Sequence, residues 1–271
     1  MKILPLAICL AVLAGVPLTG ASASEPANME PERQERWNQI AQYLFGDRKV
    51  EPTETLIKLD APKRAQDAAL VPITLTMPEK NEIKSVYLVI DDNPAPFAAK
   101  FTFGPAADAG SVQLRVRVDT YTNVHAVAET KDGKLFETAA FVKASGGCSA
   151  PVAASDEKAM AGMGEMRMKF GEDATAGKPV EATLMIRHPN FNGMQKNPIT
   201  QYFTPPRYIN KMSVSSGNAK VFDLEADISL STNPVITFSF VPNGKEPLKV
   251  VASDTKDGHW EQGFDIPAAM N

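Results

Sequence analysis

Val112, Leu114, Val116 and Val118 alternate with Gln113, Arg115 and Arg117. Strict period-two alternation marks a strand with one face buried and the other facing solvent. The pattern recurs at Val71, Ile73 and Leu75 and at Val86, Leu88 and Ile90. Further candidate strands are Leu56 to Leu59, Phe101 to Phe103, Val124 to Ala128 and Leu135 to Val142, with Asp132-Gly133 as a hairpin turn between the last two. Alternation stops near Lys143 and resumes at Met166, Met168 and Phe170, then at Val180, Ala182, Leu184 and Ile186. Ile209 to Val214, Val221 to Leu224, Ile236 to Phe240, Leu248 to Ala252 and a last strand from Trp260 towards Ile266 follow. Ser216-Gly217, Asn243-Gly244 and Asp257-Gly258 are the turn signals between them. Many short strands spaced by turns predict an all-β chain of two antiparallel β-sandwiches in tandem, over residues 51–144 and 165–271.

Three other segments complete the organisation. Residues 1–23 read as a secretory signal peptide: Lys2 starts it, Ile3 to Val16 is apolar or small, and Ala21-Ser22-Ala23 is a small-x-small cleavage site. The apolar run is too short for the roughly 20 residues a membrane span needs, and no later segment is long enough, so no membrane insertion is expected. Residues 24–50 predict an N-terminal amphipathic helix, Ala27 to Gly46, with Trp37, Ile40, Ala41 and Leu44 on one stripe that docks on the following domain. Residues 145–164, rich in small residues and free of aromatics, read as a flexible linker carrying Cys148.

The 28 basic and 32 acidic residues give a net charge of −4, so nothing points to nucleic acid as a partner. Cys9 and Cys148 are the only cysteines, which excludes a disulfide scaffold, an all-cysteine zinc site and an iron–sulfur cluster. His125, His188 and His259 are widely spaced, and the first histidine after Cys148 is forty residues on, so no metal site and no cofactor are expected. His125 reads as a residue at the rim of a sandwich, His188 as solvent-facing or backbone-bonded, and His259 as exposed. Asp91-Asp92, ahead of Asn93-Pro94, reads as a turn with solvated carboxylates. No phosphate loop and no GxSxG elbow occur. The chain is therefore not expected to be an enzyme.

Signal cleavage leaves Cys148 as the one thiol. A leftover thiol in an exported protein suggests intermolecular pairing or a free reactive group. Gly146 and Gly147 before it, and Ser149 and Ala150 after it, predict an exposed, mobile segment reaching about 17 Å beyond Lys143. Nothing nearby in sequence lowers its pKa strongly, and Lys143 is the closest cation. That suits a handle activated by a partner better than an enzyme nucleophile.

Those residues bring a family into view. The chain resembles the Sox sulfur-carrier pair, SoxY and SoxZ, joined in one polypeptide. The SoxY-like signs are Ile57-Lys58-Leu59-Asp60-Ala61-Pro62, Val71-Pro72-Ile73, Asp92-Asn93-Pro94-Ala95-Pro96, Phe101-Thr102-Phe103-Gly104-Pro105 and Gly146-Gly147-Cys148. The last matches the first three residues of the terminal GGCGG arm of that component. Ala182-Thr183-Leu184-Met185-Ile186-Arg187-His188-Pro189 and the closing Trp260 segment are SoxZ-like. More narrowly, the chain is similar to fused SoxYZ-like carriers associated with quinoprotein dehydrogenases. The resemblance implies two immunoglobulin-like sandwiches. It makes Cys148 the covalent attachment point for sulfur-containing intermediates, as in thiosulfate oxidation, with Gly146 and Gly147 giving the arm mobility. It implies, as partners, exported sulfur-metabolism enzymes or a quinoprotein dehydrogenase or cytochrome, in keeping with the periplasmic location expected from the signal peptide. A dimer linked through Cys148 of each chain stays open. Two departures stand out: Ser149-Ala150-Pro151 replaces the trailing glycines, and the arm is internal. The alternative is a non-catalytic binding or assembly module with two such domains, in which the thiol is incidental.

Overall fold

The structure is a computed structural model that describes residues 30–171, 178–244 and 246–267. The expected signal peptide, with Cys9, lies outside these residues. Helix α1 is Glu30–Phe45. The first half then carries β1 (Val50–Pro52), β2 (Lys58–Asp60), β3 (Val71–Thr76), β4 (Ile83–Ile90), β5 (Phe97–Phe103), β6 (Ala107–Val116), β7 (Thr122–Thr130) and β8 (Leu135–Val142). Helix α2, Asp156–Met160, interrupts the connecting segment expected to be wholly flexible. Ser155 nucleates it by accepting the Lys158 amide hydrogen on its side-chain oxygen. The second half carries β9 (Met166–Phe170), β10 (Val180–Ile186), β11 (Ile209–Ser216), β12 (Ala219–Ala226), β13 (Val235–Phe240), β14 (Leu248–Asp254) and β15 (His259–Phe264).

Each half is a two-layer sandwich, as the alternation requires. In β4, Val86, Leu88 and Ile90 face the core, and in β3 Val71, Ile73 and Leu75 face them from the other layer. The two sandwiches do not hang as beads on a linker. They share both sheets. One has nine strands in the order β1-β8-β7-β4-β5-β12-β11-β14-β15, and the other six in the order β2-β3-β6-β13-β10-β9. The seams are the antiparallel pairs β5–β12, with Leu224 opposite Phe101, and β6–β13, with Phe238 opposite Val112. A single apolar core therefore runs through both halves. At the seam the Phe101 and Phe222 rings meet edge to face at 5.4 Å, and Phe222 meets Phe238 at 5.0 Å. Pairing the inner edges also removes four strand edges that would otherwise be open to aggregation.

α1 forms a third layer on the outer face of the nine-stranded sheet. Trp37 and Phe45 are buried against Val89, Val127 and Leu135, with Ile40, Ala41 and Leu44 packed alongside. This is the stripe expected from the 3.6-residue period.

Candidate functional site

Cys148 sits where the first half hands over to the second, and the structure corrects the expectation of an exposed arm. The thiol residue is fully buried. Gly146 to Ser149 form a tight turn folded against the stretch that follows β6. The Gly146 amide donates to the Asp119 carbonyl at 2.7 Å and the Gly147 amide to the Val118 carbonyl at 3.2 Å. The Cys148 amide donates to Asp119 Oδ1 at 3.2 Å. From the second half, Asn192 Nδ2 donates to the Cys148 carbonyl at 2.8 Å. Both glycines are needed for this packing. Gly146 has φ +73°, and a Cβ at Gly147 would collide with the carbonyl oxygens of Ala68 and Val118. Satisfying the backbone groups of a chain reversal pulled the turn inward, a contact between segments about thirty residues apart that local composition does not encode.

The groups around the turn are fixed in turn. Asn93, from the Asp92-to-Pro96 motif, donates to the Arg117 carbonyl and to Ser229 Oγ, both at 2.8 Å, and accepts the Asp119 amide hydrogen at 2.9 Å. It thus sets Arg117 and Asp119 beside Cys148. Arg117, expected on the wet face of its strand, is 1% exposed. Its Nη1 donates to the Gly147 carbonyl at 3.3 Å and its Nη2 to Thr232 Oγ1. On the other side, Asn192 belongs to the long 187–208 loop. That loop is anchored by His188, which is buried rather than solvent-facing. The His188 Nδ1 accepts the Asn190 amide hydrogen at 3.0 Å, leaving Nε2–H to donate to Asp254 Oδ2 at 3.2 Å. Burial holds this imidazole below its ordinary pKa, so it is neutral. Arg207 Nε pairs with the same carboxylate oxygen at 2.6 Å.

Burial pushes the Cys148 thiol up to about 12. The Asp119 carboxylate adds to the rise and Arg117 opposes it. Held there, the sulfur is a protonated thiol, the unreactive form.

The other sequence candidates lie apart from this site. Asp91 is buried, not solvated, and bonds His125 Nε2 through Oδ2 at 3.2 Å, while Glu137 Oε2 takes Nδ1 at 2.8 Å. Burial alone would lower the His125 pKa, but the two carboxylates outweigh it and lift it to about 9. The imidazolium lies flat under Trp37, with ring centroids 3.8 Å apart, and Trp37 Nε1 donates to Glu137 Oε1. This cluster fastens α1 and is not brought to Cys148. His259 is exposed on β15. Sequence reasoning missed Arg117, Asp119 and Asn192. Asn93 alone had a visible signal, its place in the quoted motif.

Residues 41–148 match the family model for sulfur oxidation protein SoxY, and residues 167–265 match that for sulphur oxidation protein SoxZ. The chain is a SoxYZ-like protein. Its SoxY half ends, as matched, on Cys148, and its SoxZ half supplies Asn192. The two halves are tandem immunoglobulin-like sandwiches, as the resemblance implied. Together the SoxY and SoxZ domains support a sulfur-oxidation carrier role. Similar solved structures include the sulfur carrier protein SoxY from Chlorobium limicola f thiosulfatophilum. It is 24% identical over 41% of this chain and 94% of its own, with a TM-score of 0.36. A putative superoxide reductase from Thermotoga maritima is 15% identical over 35% of this chain and 92% of its own, TM-score 0.30. The superoxide reductase (neelaredoxin) from Ignicoccus hospitalis is 13% identical over 33% and 79%, TM-score 0.30. No curated protein matches the SoxYZ-like chain.

Proposed function

We propose that this SoxYZ-like chain is an exported, periplasmic carrier that holds sulfur-containing intermediates covalently on Cys148 and passes them between partner enzymes. The observation that carries the reading is the position of Cys148. It is the last residue of the SoxY match and lies at the junction of the two halves. Because the thiol is buried, loading requires the turn at Gly146 to Ser149 to lift. That breaks the five hydrogen bonds donated by Gly146, Gly147, Cys148, Arg117 and Asn192, and a docking partner supplies the compensating contacts. Once lifted, the turn presents the sulfur at the tip of a loop, since the SoxZ half continues the chain. The partners are exported sulfur-metabolism enzymes, with a quinoprotein dehydrogenase or cytochrome as the setting suggested by the narrower resemblance. The chain itself catalyses no step.

The test is the intact mass of the protein purified from its native host, before and after reduction. A reducible increment on Cys148, lost in Cys148→Ser, supports the carrier. An unmodified Cys148 under every growth condition, with a Cys148→Ser strain that grows as the parent, refutes it. Burial of the thiol favours one second reading, an assembly module in which Cys148 only packs the junction. It predicts that Cys148→Ser keeps complex formation and host growth intact.

A further inference from the structure

Arg117 heads the fully buried side chains by size, yet no described carboxylate forms an ion pair with it. Its two Nη groups are used on Gly147 and Thr232, and its Nε is buried without a partner. Burial disfavours its charge most, while Cys148 and Asp67 favour it, Asp67 being exposed and outside ion-pair distance. A buried cation with no carboxylate in contact is costly, and neither a protonated thiol nor an exposed, distant aspartate fully offsets that cost. A second buried donor is also unused. Gln195, 2% exposed, accepts the Asn192 amide hydrogen on Oε1, but its Nε2 has no partner. Asn192 is the residue that holds the Cys148 carbonyl. Arg117 touches the turn directly and Gln195 stands one residue removed from it through Asn192, so two buried N–H donors near the turn are unspent, as an anion site requires.

Resting on the carrier reading, we propose that Arg117, with Gln195 Nε2 as a second donor, is the recognition site for an anionic sulfur oxyanion borne on Cys148. In the empty protein the Gly147 carbonyl occupies Nη1. In the loaded protein the turn yields and the cargo oxygens take Nη1 and Nε. The fused halves matter here, because Arg117 comes from the SoxY half while Thr232 and Gln195 come from the SoxZ half.

Two thiol reagents separate this site from a packing role. Tetrathionate is a dianion. The Cys148 thiolate, its proton lost to buffer, attacks an inner sulfur, the central S–S bond breaks, and thiosulfate leaves with the electron pair. Cys148 then carries –S–SO3−. Methyl methanethiosulfonate is neutral. The same attack expels methanesulfinate and leaves –S–CH3. Opening of the turn is a rapid pre-equilibrium common to both reactions at low reagent concentration, so it cancels in their rate ratio and what remains reports on the anion. In the full chain, Arg117→Met should lower the tetrathionate-to-methanethiosulfonate rate ratio about tenfold, the value of one charge-assisted hydrogen bond. Arg117→Lys should retain part of the preference, and Gln195→Leu should lower it by a smaller factor. Equal changes with both reagents in Arg117→Met would overturn the proposal, and an unchanged ratio in Gln195→Leu would remove the second donor. A measurement on the unmutated chain stands if Arg117→Met fails to fold: the –S–SO3− form should melt above the –S–CH3 form, and the reverse order overturns the site. Failure here leaves the carrier reading to the native-host mass, and an unmodified native Cys148 leaves this chemistry intact.

Discussion

Gly147 has no room for a side chain, because the Ala68 and Val118 carbonyls fill the space a Cβ needs. Backbone atoms cannot swing aside as a flexible side chain can. Gly147→Ala should therefore cost about 1–3 kcal/mol, the usual range for overpacking. The expected readout is double: a lower melting temperature and faster alkylation of Cys148, since the same collision lifts the turn. Faster alkylation without loss of stability would show that the turn is not held as described. The thiol also sets a pH response. Its pKa rises from the ordinary 9.0 to about 12 on folding. The unfolded chain thus loses its proton first, and the stability this group contributes is full below pH 9 and falls as pH rises towards 12. Iodoacetamide labelling at pH 8 should be slow in the folded chain and rapid in urea. Equal rates would place the sulfur in solvent.

At the level of elements, α1 is held by a stack as much as by a stripe. The indole of Trp37 covers the His125 imidazolium, whose charge is shared by Asp91 and Glu137. β7 presents His125 outward because Val124 and Ala126, its neighbours, point into the core. Trp37→Ala removes the indole from a buried position and should cost about 3–5 kcal/mol. Far-UV circular dichroism should show loss of helix while the β signal stays. His125 titrates from an ordinary 6.5 up to about 9 in the fold. Its contribution is full below 6.5 and is lost as pH rises through 9, so urea midpoints should fall between pH 7 and pH 10. In His125→Phe that slope should flatten, and an unchanged slope would assign it to other groups.

The whole molecule behaves as one cooperative body if its two sheets are continuous. Separating the halves would expose the edges of β5 and β6 on one side and β12 and β13 on the other, and would split a shared core. Calorimetry should give a single transition despite two domains. Chains cut between Pro151 and Ser155 should aggregate when made alone and associate when made together. Two separate transitions, or two soluble monomeric halves, would mean that the seam is weak. The seam matters for the site as well, since Asn192 and Thr232 reach the turn only while it holds.

The strands, the two-block arrangement and the helix are legible in the order of the residues alone. Each of these rests on periodicity within a dozen residues, where the choice of apolar side chain decides which face is buried. The same order singles out Cys148, by scarcity and by the two glycines before it. The folded chain adds the rest: the pairing of β5 with β12 and of β6 with β13, the burial of Cys148, the burial of Arg117 and His188, and the enclosure of His125. Those depend on hydrogen bonds and packing between residues from a dozen to more than a hundred positions apart, such as Asn93 with Ser229 and Arg117 with Thr232. Alternation cannot tell an arginine facing water from one facing the edge of a neighbouring sandwich. Nor can a run of small residues tell a free arm from a turn narrow enough to be packed away. In both cases the deciding quantity is which backbone and side-chain groups lie across the gap, and only the folded chain supplies them.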